Sequence, residues 1–161
     1  MIGLKRILAP VDFSSCAHEA TNYACALVDS FGAELHLLHV IHNFATEVPD
    51  FGMGLAFPGF LENLPARMEE LEREAISHLA NALEPGWQKD KQVVLATKQG
   101  APFVEIVRYA QTHQIQLIVM GTHGRSAIPH AILGSVAEKV VRKAPCPVLT
   151  VRPKSHEFAP L

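Results

Sequence analysis

Three glycines with a distinctive spacing lie in the second half of the chain, between an apolar run and a helical segment. The loop begins at Met120-Gly121-Thr122-His123-Gly124-Arg125, continues for nine residues after Gly124, and ends at Gly134-Ser135-Val136. Glycines at the end of a strand let a ligand approach the backbone closely, and a helix start offers unpaired N–H groups and a positive dipole end. The loop is therefore a candidate phosphate site.

A purely structural explanation of the same residues is also open. Gly124 and Gly134 are typical turn residues, and Ser135-x-x-Glu138 has the spacing of a capping box, in which Ser135 only caps a helix. Two common nucleotide motifs, G-x-x-x-x-G-K-[S/T] and G-x-G-x-x-G after the first strand, are absent from the sequence. Spacing alone leaves both phosphate binding and a simple turn as explanations.

The elements that must position this loop follow from hydrophobic periodicity. Strand-length apolar runs predict strands at Ile7–Val11, Glu34–Ile41, Gln92–Thr97, Ile115–Met120 and Pro147–Arg152. Helical spacing predicts helices over Cys16–Phe31, Ala66–Leu83, a segment beginning near Pro102, and Ser135–Lys143. We expect Ser14 or Ser15 to cap the first helix and Gly32 to end it. The alternation predicts an α/β domain with a parallel sheet and helices on both faces.

One long stretch, Asn43–Leu64, has no regular pattern and is predicted to be a loop. Pro65 is expected to begin the next helix, because proline fits the first helical turn. A loop of this length in a compact domain usually has a function or is mobile. It is either a covering flap or oligomer contact, or a lid beside a ligand.

Composition limits the class of protein but gives no function. The chain has 161 residues, 48% of them hydrophobic and 19% charged, with a net charge of −2. This predicts one domain over residues 1–152 with a flexible tail at 153–161, and it disfavours duplex nucleic acid as a partner. An odd number of cysteines, three, favours a reducing compartment. Because no long apolar run or signal-peptide pattern is present, we expect a cytoplasmic protein with no membrane insertion.

The glycine loop and its surroundings resemble the universal stress protein family. The resemblance rests on Gly121-x-x-Gly124, nine residues, Gly134-Ser135, with the flanking sequence from Leu117 to Leu149, and on Ile7–Asp12 and Leu35–Val40. It covers about residues 4–152. It implies an open five-stranded parallel sheet in the order 3-2-1-4-5, a Rossmann-like fold of the adenine-nucleotide alpha hydrolase type. Ligands bind such sheets where the strand order reverses, so Pro10-Val11-Asp12 and Met120-Gly121 are expected to line the crevice.

The ATP-binding members of this family imply a role for each matching position. The backbone of Val40 and the neighbourhood of Pro10 and Val11 would hold adenine, and Asp12 with Gly121 would bind the ribose hydroxyls. The phosphates would lie against the backbone of His123, Gly124, Gly134, Ser135 and Val136, with Mg²⁺ bridging them through few protein ligands. Arg125 either supplies charge or lies in solvent. Pro129-His130 departs from the glycine or basic residue that the family often has there.

Other chemistry has weaker sequence support. His36, His39 and His42 cannot converge on a metal, because side chains alternate along a strand and His39 therefore points away from the other two. No G-x-S-x-G elbow accompanies Asp12, His123 and Ser135, so a hydrolase triad is not indicated. Cys16 is either a thiol activated by the start of a helix or a buried, inert one.

Three functions stay open on this sequence. The first is an ATP-binding, nucleotide-responsive stress regulator. The second is an interaction module of the same fold with weak or no nucleotide binding, acting on a partner such as a transporter. The third is a slow ATPase or self-phosphorylating enzyme, as some relatives are. Relatives also dimerise through the strand matching Pro147–Arg152, so the resemblance implies a homodimer, unless Pro147 and Arg152 protect that sheet edge.

Overall fold

Five parallel strands form the central sheet, in the order β3-β2-β1-β4-β5. The computed structural model describes residues 3–42, 58–124 and 133–152, and the backbone alone for residues 58–64. The strands are β1 (Arg6–Pro10), β2 (Glu34–Ile41), β3 (Val93–Gln99), β4 (Leu117–Gly121) and β5 (Val148–Val151). The helices are α1 (Ser15–Phe31), α2 (Pro58–Asn81), α3 (Pro102–Thr112) and α4 (Ser135–Lys143), with a short 3-10 helix at Trp87–Asp90.

The predicted fold class and strand order are confirmed. β2 and α4 have the bounds expected from the sequence, and most other ends differ by one or two residues. β4 starts at Leu117, after the predicted start at Ile115, because the Ile115 N–H donates to the Ala110 carbonyl 2.9 Å away. Ile115 therefore belongs to the turn that follows α3, and the strand begins two residues later.

Helix α2 begins earlier than the sequence predicted. It starts at Pro58, so residues 58–64 are helical and the prediction of a loop through Leu64 is wrong. Pro65 lies inside the helix, where it removes one N–H donor without ending the helix. The rest of the predicted loop, residues 43–57, lies outside the described residues, as do Arg125, Pro129-His130 and the tail at 153–161.

Strand side chains alternate between two apolar layers, one on each face of the sheet. Leu35 and Leu37 of β2 are fully buried in the layer beneath α1 and α2. Leu38, also fully buried, belongs to the opposite layer beneath α3 and α4. A strand covered on both faces needs apolar residues at every position, which is why these runs show little alternation in sequence. Burial on both faces holds the carboxyl ends of the strands in fixed positions.

The first helix begins at Ser15, one residue before the predicted Cys16, and ends at the predicted Phe31. The Ser14 hydroxyl accepts a hydrogen bond from the Ala17 N–H at 3.2 Å, which makes Ser14 the N-cap. Gly32 ends α1 in the left-handed conformation at φ 63°, and its N–H donates to the Val28 carbonyl. The N-cap fixes the start of α1 directly after Asp12, at the carboxyl end of β1.

A polar cluster interrupts the apolar layer between β2 and α3. His36 is buried, with its Nδ1 2.9 Å from the Tyr109 hydroxyl oxygen and its Nε2 3.6 Å from Glu34 Oε2. His113 stacks on the Tyr109 ring, with centroids 3.8 Å apart, and meets the edge of His36 at 5.7 Å. Burial lowers the pKa of His36, and the Glu34 carboxylate opposes that shift only in part. Folding therefore favours the neutral imidazole.

We expect acid to destabilise the fold through His36. Below a pH of about 6.5 the unfolded chain binds a proton at His36 that the folded protein does not. The free energy of unfolding therefore decreases as the pH is lowered, by at most about 1.4 kcal/mol per pH unit for one proton. Denaturant unfolding at a series of pH values measures this slope. His36→Gln should flatten it, whereas His18→Gln, at an exposed position, should not. Equal slopes for the original chain and His36→Gln would contradict the prediction.

Candidate functional site

A cavity of about 280 Å³ opens at the carboxyl ends of β1 and β4. These two strands lie where the strand order reverses, the position at which open α/β sheets bind ligands. Every predicted site residue within the described part of the chain lines this cavity: Pro10, Val11, Asp12, Val40, Met120, Gly121, His123, Gly124, Gly134, Ser135 and Val136. Arg125 lies outside the described residues. The structure thus brings together three segments that are far apart in sequence.

Eight further residues line the cavity that were not predicted as site residues. They are Ala17, Leu38, His39, Pro102, Ile106, Thr122, Leu133 and Ala137. Two signals could have found some of them: Leu38 and His39 precede Val40 near the end of a strand, and Pro102 begins the helix that follows β3. Both positions lie at the edge of the sheet where ligands bind. The apolar members of this set form a wall suited to a flat, uncharged group.

Asp12 is held by the residues that start α1. Its Oδ1 accepts hydrogen bonds from the Ser14 N–H at 3.0 Å and from the Ser14 hydroxyl at 2.6 Å. Its Oδ2 faces Gly124, and a Cβ built on Gly124 would lie inside contact distance of that oxygen. A side chain at position 124 would therefore displace the Asp12 carboxylate from the space that it occupies.

The other two glycines of the loop are also sites of close approach. A Cβ on Gly121 would lie 2.8 Å from Cys16 Sγ, and a Cβ on Gly134 would lie 3.1 Å from the Thr122 carbonyl oxygen. The Gly134 N–H donates to that same carbonyl at 2.7 Å. Glycine at 121 lets the start of α1 pack against β4, and glycine at 134 draws the start of α4 against the end of β4. Both helix starts are thereby brought to the cavity.

Helix α4 directs its amino terminus at the cavity, and no side chain among the described residues caps it. Its N-cap is Gly134, in extended conformation, and Ser135 is already the first helical residue. The capping-box explanation of Ser135 is therefore wrong, since the cap position lies one residue earlier. The N–H groups of Ser135, Val136 and Ala137 have no partner within the helix, and all three residues line the cavity. Together with the helix dipole they form a site that can hold an anion.

Cys16 and Thr122 connect the start of α1 and the end of β4 to β5 through one carbonyl oxygen. The Cys16 thiol is buried and donates to the Val151 carbonyl at 3.2 Å, and the Thr122 N–H donates to the same oxygen at 2.9 Å. Thr122 Oγ1 lies 3.0 Å from His123 Nδ1. A thiol that donates its proton in a buried position is a structural group, which favours the inert interpretation of Cys16.

Neither a metal cluster nor a membrane span is found in the part of the chain that the structure describes. His36 packs on Tyr109 of α3, whereas His39 contacts Phe13 on the other face, as strand alternation predicts. Within residues 3–42, 58–124 and 133–152, no group of three histidine, cysteine or acidic side chains is arranged to hold a metal ion. Over the same residues, no helix has the length and apolar character needed to cross a membrane.

Comparison with protein families decides the class of protein. The model of the Universal stress protein family matches residues 3–152. The chain belongs to this family. Its relatives include universal stress protein MJ0531 of Methanocaldococcus jannaschii, 33% identical over 95% of this chain and 85% of the relative. A universal stress protein of Thermus aquaticus is 36% identical, with 92% of this chain and 98% of the relative covered.

Solved structures of universal stress proteins have the same fold as this one. Universal stress protein MJ0577 of Methanocaldococcus jannaschii superposes with a TM-score of 0.78 at 30% identity, covering 96% of this chain and all of the other. The protein UspA of Lactobacillus plantarum superposes with a TM-score of 0.67 at 26% identity, covering 94% of this chain and all of the other. The strand order 3-2-1-4-5 and the helices on both faces are therefore those of the family.

Proposed function

We propose that this universal stress protein is a cytoplasmic, nucleotide-responsive regulator that binds ATP with Mg²⁺ in the cavity between β1 and β4. The observation that carries the proposal is that the Asp12 carboxylate and the amino terminus of α4 line one cavity at the strand-order reversal. A carboxylate suits ribose hydroxyls, and a helix amino terminus suits phosphates. The ribose and the phosphates of a nucleotide thus have complementary groups within one cavity.

Each part of the nucleotide has residues of matching chemistry. Adenine would lie against Pro10 and Val11 and on the backbone of Val40, next to the apolar wall, and Met120 and Gly121 would border the ribose bound by Asp12. The phosphates would accept hydrogen bonds from the backbone around His123, Gly124, Gly134, Ser135 and Val136, and Arg125 is proposed as an additional cation. Among the described lining residues Asp12 is the only carboxylate, so phosphate oxygens and water would hold most of the Mg²⁺ coordination.

Two solved proteins of this fold are complexes with adenine nucleotides. One is a universal stress protein with cAMP, 23% identical to this chain, and one is a universal stress protein of Archaeoglobus fulgidus with dAMP, 19% identical. At these identities the likeness supports the fold alone. AMP and cAMP are nevertheless useful comparisons for ATP, because all three carry the same adenine and ribose with different phosphates.

The decisive experiment asks which small molecule the protein binds. Protein purified without added nucleotide is denatured, the released ligand is identified by mass spectrometry, and ATP with Mg²⁺, AMP and cAMP are then titrated calorimetrically. We expect ATP to bind and, at 100 times its Kd, to raise the free energy of unfolding by about 2.7 kcal/mol. No released nucleotide, no heat and no change in melting with any of the three would overturn the proposal and favour an interaction module.

The same molecule is proposed to form a homodimer through β5. β5 is an edge strand of the sheet, and Leu149 on it is 39% exposed. An edge with open backbone groups and apolar side chains is a favourable surface for antiparallel pairing with a second copy.

Sedimentation equilibrium should give the mass of two chains at micromolar concentration. Leu149→Lys should shift the mass toward one chain, whereas Tyr23→Lys, on an exposed face of α1, should not. A monomeric mass for the unmodified chain would refute the dimer.

A further inference from the structure

Phe13 has a backbone conformation that its side chain disfavours. It follows Asp12 directly and lies in the left-handed region, with φ 64°. Bulky residues rarely adopt this conformation, and it persists only where the surrounding contacts enforce it. Phe13 is not among the described residues that line the cavity. Its strain therefore lies beside the candidate site, at the turn that carries Asp12.

Two histidine rings hold the strained residue from different elements. The Phe13 ring lies 4.5 Å from the ring of His39 on β2 and meets the ring of His78 on α2 edge-on at 5.4 Å. His39 also donates a hydrogen bond from Nδ1 to the Val11 carbonyl at 2.7 Å, since a carbonyl can only accept. The residues on both sides of Asp12 are thus fixed, Val11 by a hydrogen bond and Phe13 by ring contacts.

The left-handed turn decides where the Asp12 carboxylate points. Rotation about the N–Cα bond of Phe13 moves the Ser14 N–H relative to Asp12. At the observed conformation this N–H returns to Asp12 Oδ1 at 3.0 Å, with the Ser14 hydroxyl at 2.6 Å. Relaxation of Phe13 to a negative φ would move Ser14 and release Oδ1, and Oδ2 would then lose its fixed place against Gly124.

We propose that Phe13 is a positioning residue for nucleotide binding: clamped between His39 and His78, it fixes the turn that presents the Asp12 carboxylate to the ribose. This inference rests on the proposed function for its ligand. It adds a link from α2 to the site, because His78 contacts the turn without lining the cavity. Loss of the Phe13 ring should therefore impair recognition of the ribose hydroxyls in particular.

The test compares ATP with 2′,3′-dideoxy-ATP, which lacks the hydroxyls that Asp12 would bind. We expect the original chain to prefer ATP by about 10-fold or more, the effect of losing hydrogen bonds to a charged group. Phe13→Ala and Phe13→Gly should bring the ratio of the two Kd values close to one. Phe13→Gly permits the left-handed backbone but no longer enforces it, because the contacts with His39 and His78 are lost, and it serves if Phe13→Ala does not fold. Leu79→Ala, in the fully buried core of α2, should lower the melting temperature and leave the ratio unchanged.

A second measurement does not depend on nucleotide. Hydrogen exchange of the Ser14 amide reports its bond to Asp12 Oδ1, and we expect protection in the original chain and in Leu79→Ala but not in Phe13→Gly. A Phe13→Gly variant that keeps both the Kd ratio and the protection of Ser14 overturns the proposal. If the original chain binds neither nucleotide, the proposed function fails, and the Ser14 exchange alone decides whether Phe13 positions Asp12.

Discussion

Gly124→Ala should weaken ATP binding by between about 10-fold and 150-fold while the protein stays folded. The new Cβ would occupy the space of Asp12 Oδ2, and the nearest other atom, Asp12 Cγ, lies at an ordinary 3.6 Å. The carboxylate must therefore rotate out of its present position, at the expense of its bonds to Ser14. Hydrogen bonds to a charged group contribute about 1.5–3 kcal/mol, which sets the expected loss of affinity. Isothermal titration calorimetry measures it, with thermal melting as the check on folding.

A matched glycine variant and a double variant make this result specific. Gly3→Ala introduces the same methyl group at a position with no neighbouring atom within 4 Å, so it should bind ATP like the original chain. Asp12→Ala should weaken binding to a similar degree as Gly124→Ala. Because both changes remove the same contact, adding Asp12→Ala to Gly124→Ala should cause little further loss. ATP affinity unchanged by Gly124→Ala would show that the carboxylate at this position does not bind the ligand.

Gly121→Ala should reduce the free energy of unfolding by about 1–3 kcal/mol, the usual range for overpacking a filled interior. Its Cβ would lie 2.8 Å from Cys16 Sγ, 3.1 Å from the Cys16 carbonyl carbon and 3.2 Å from Cys16 Cβ. The backbone atom cannot move without shifting the first turn of α1. Unlike Gly124→Ala, this change therefore strains the contact between α1 and β4, and denaturant unfolding should detect it.

The cysteine offers an internal control for this second prediction. Cys16→Ala removes the sulfur, the nearest of the three atoms, and should restore part of the stability lost in Gly121→Ala. The restoration should be incomplete because the backbone contact stays. Gly3→Ala again provides the matched methyl group without a contact. If Gly121→Ala unfolds at the same denaturant concentration as the original chain, or if Cys16→Ala restores nothing, the packing explanation is wrong.

Local patterns were sufficient for most of the elements. Two elements have the bounds that their sequences predicted: the strand Glu34–Ile41 and the helix Ser135–Lys143. A continuous apolar run and helical spacing of apolar residues are both visible within a few neighbouring positions. The start of α2 was missed because a proline at position 65 suits a helix start, and local rules cannot tell this from a helix that continues through it. The capping-box interpretation of Ser135 was wrong for a related reason. Local sequence did not distinguish Ser135 from the adjacent Gly134 as the N-cap.

The sequence by itself determined the alternation of strands and helices, the glycine signature and, through that signature, the family. Only the tertiary structure decided that a side chain at 124 would displace the Asp12 carboxylate and that one at 121 would strike Cys16. It also decided that Phe13 is held left-handed between His39 and His78. Hydrophobic periodicity depends only on residues within a few positions of each other in the chain, so it carries no information on contacts between distant segments. The contact between Cys16 and Thr122, 106 residues apart, exists only because β1 and β4 are neighbours in the sheet.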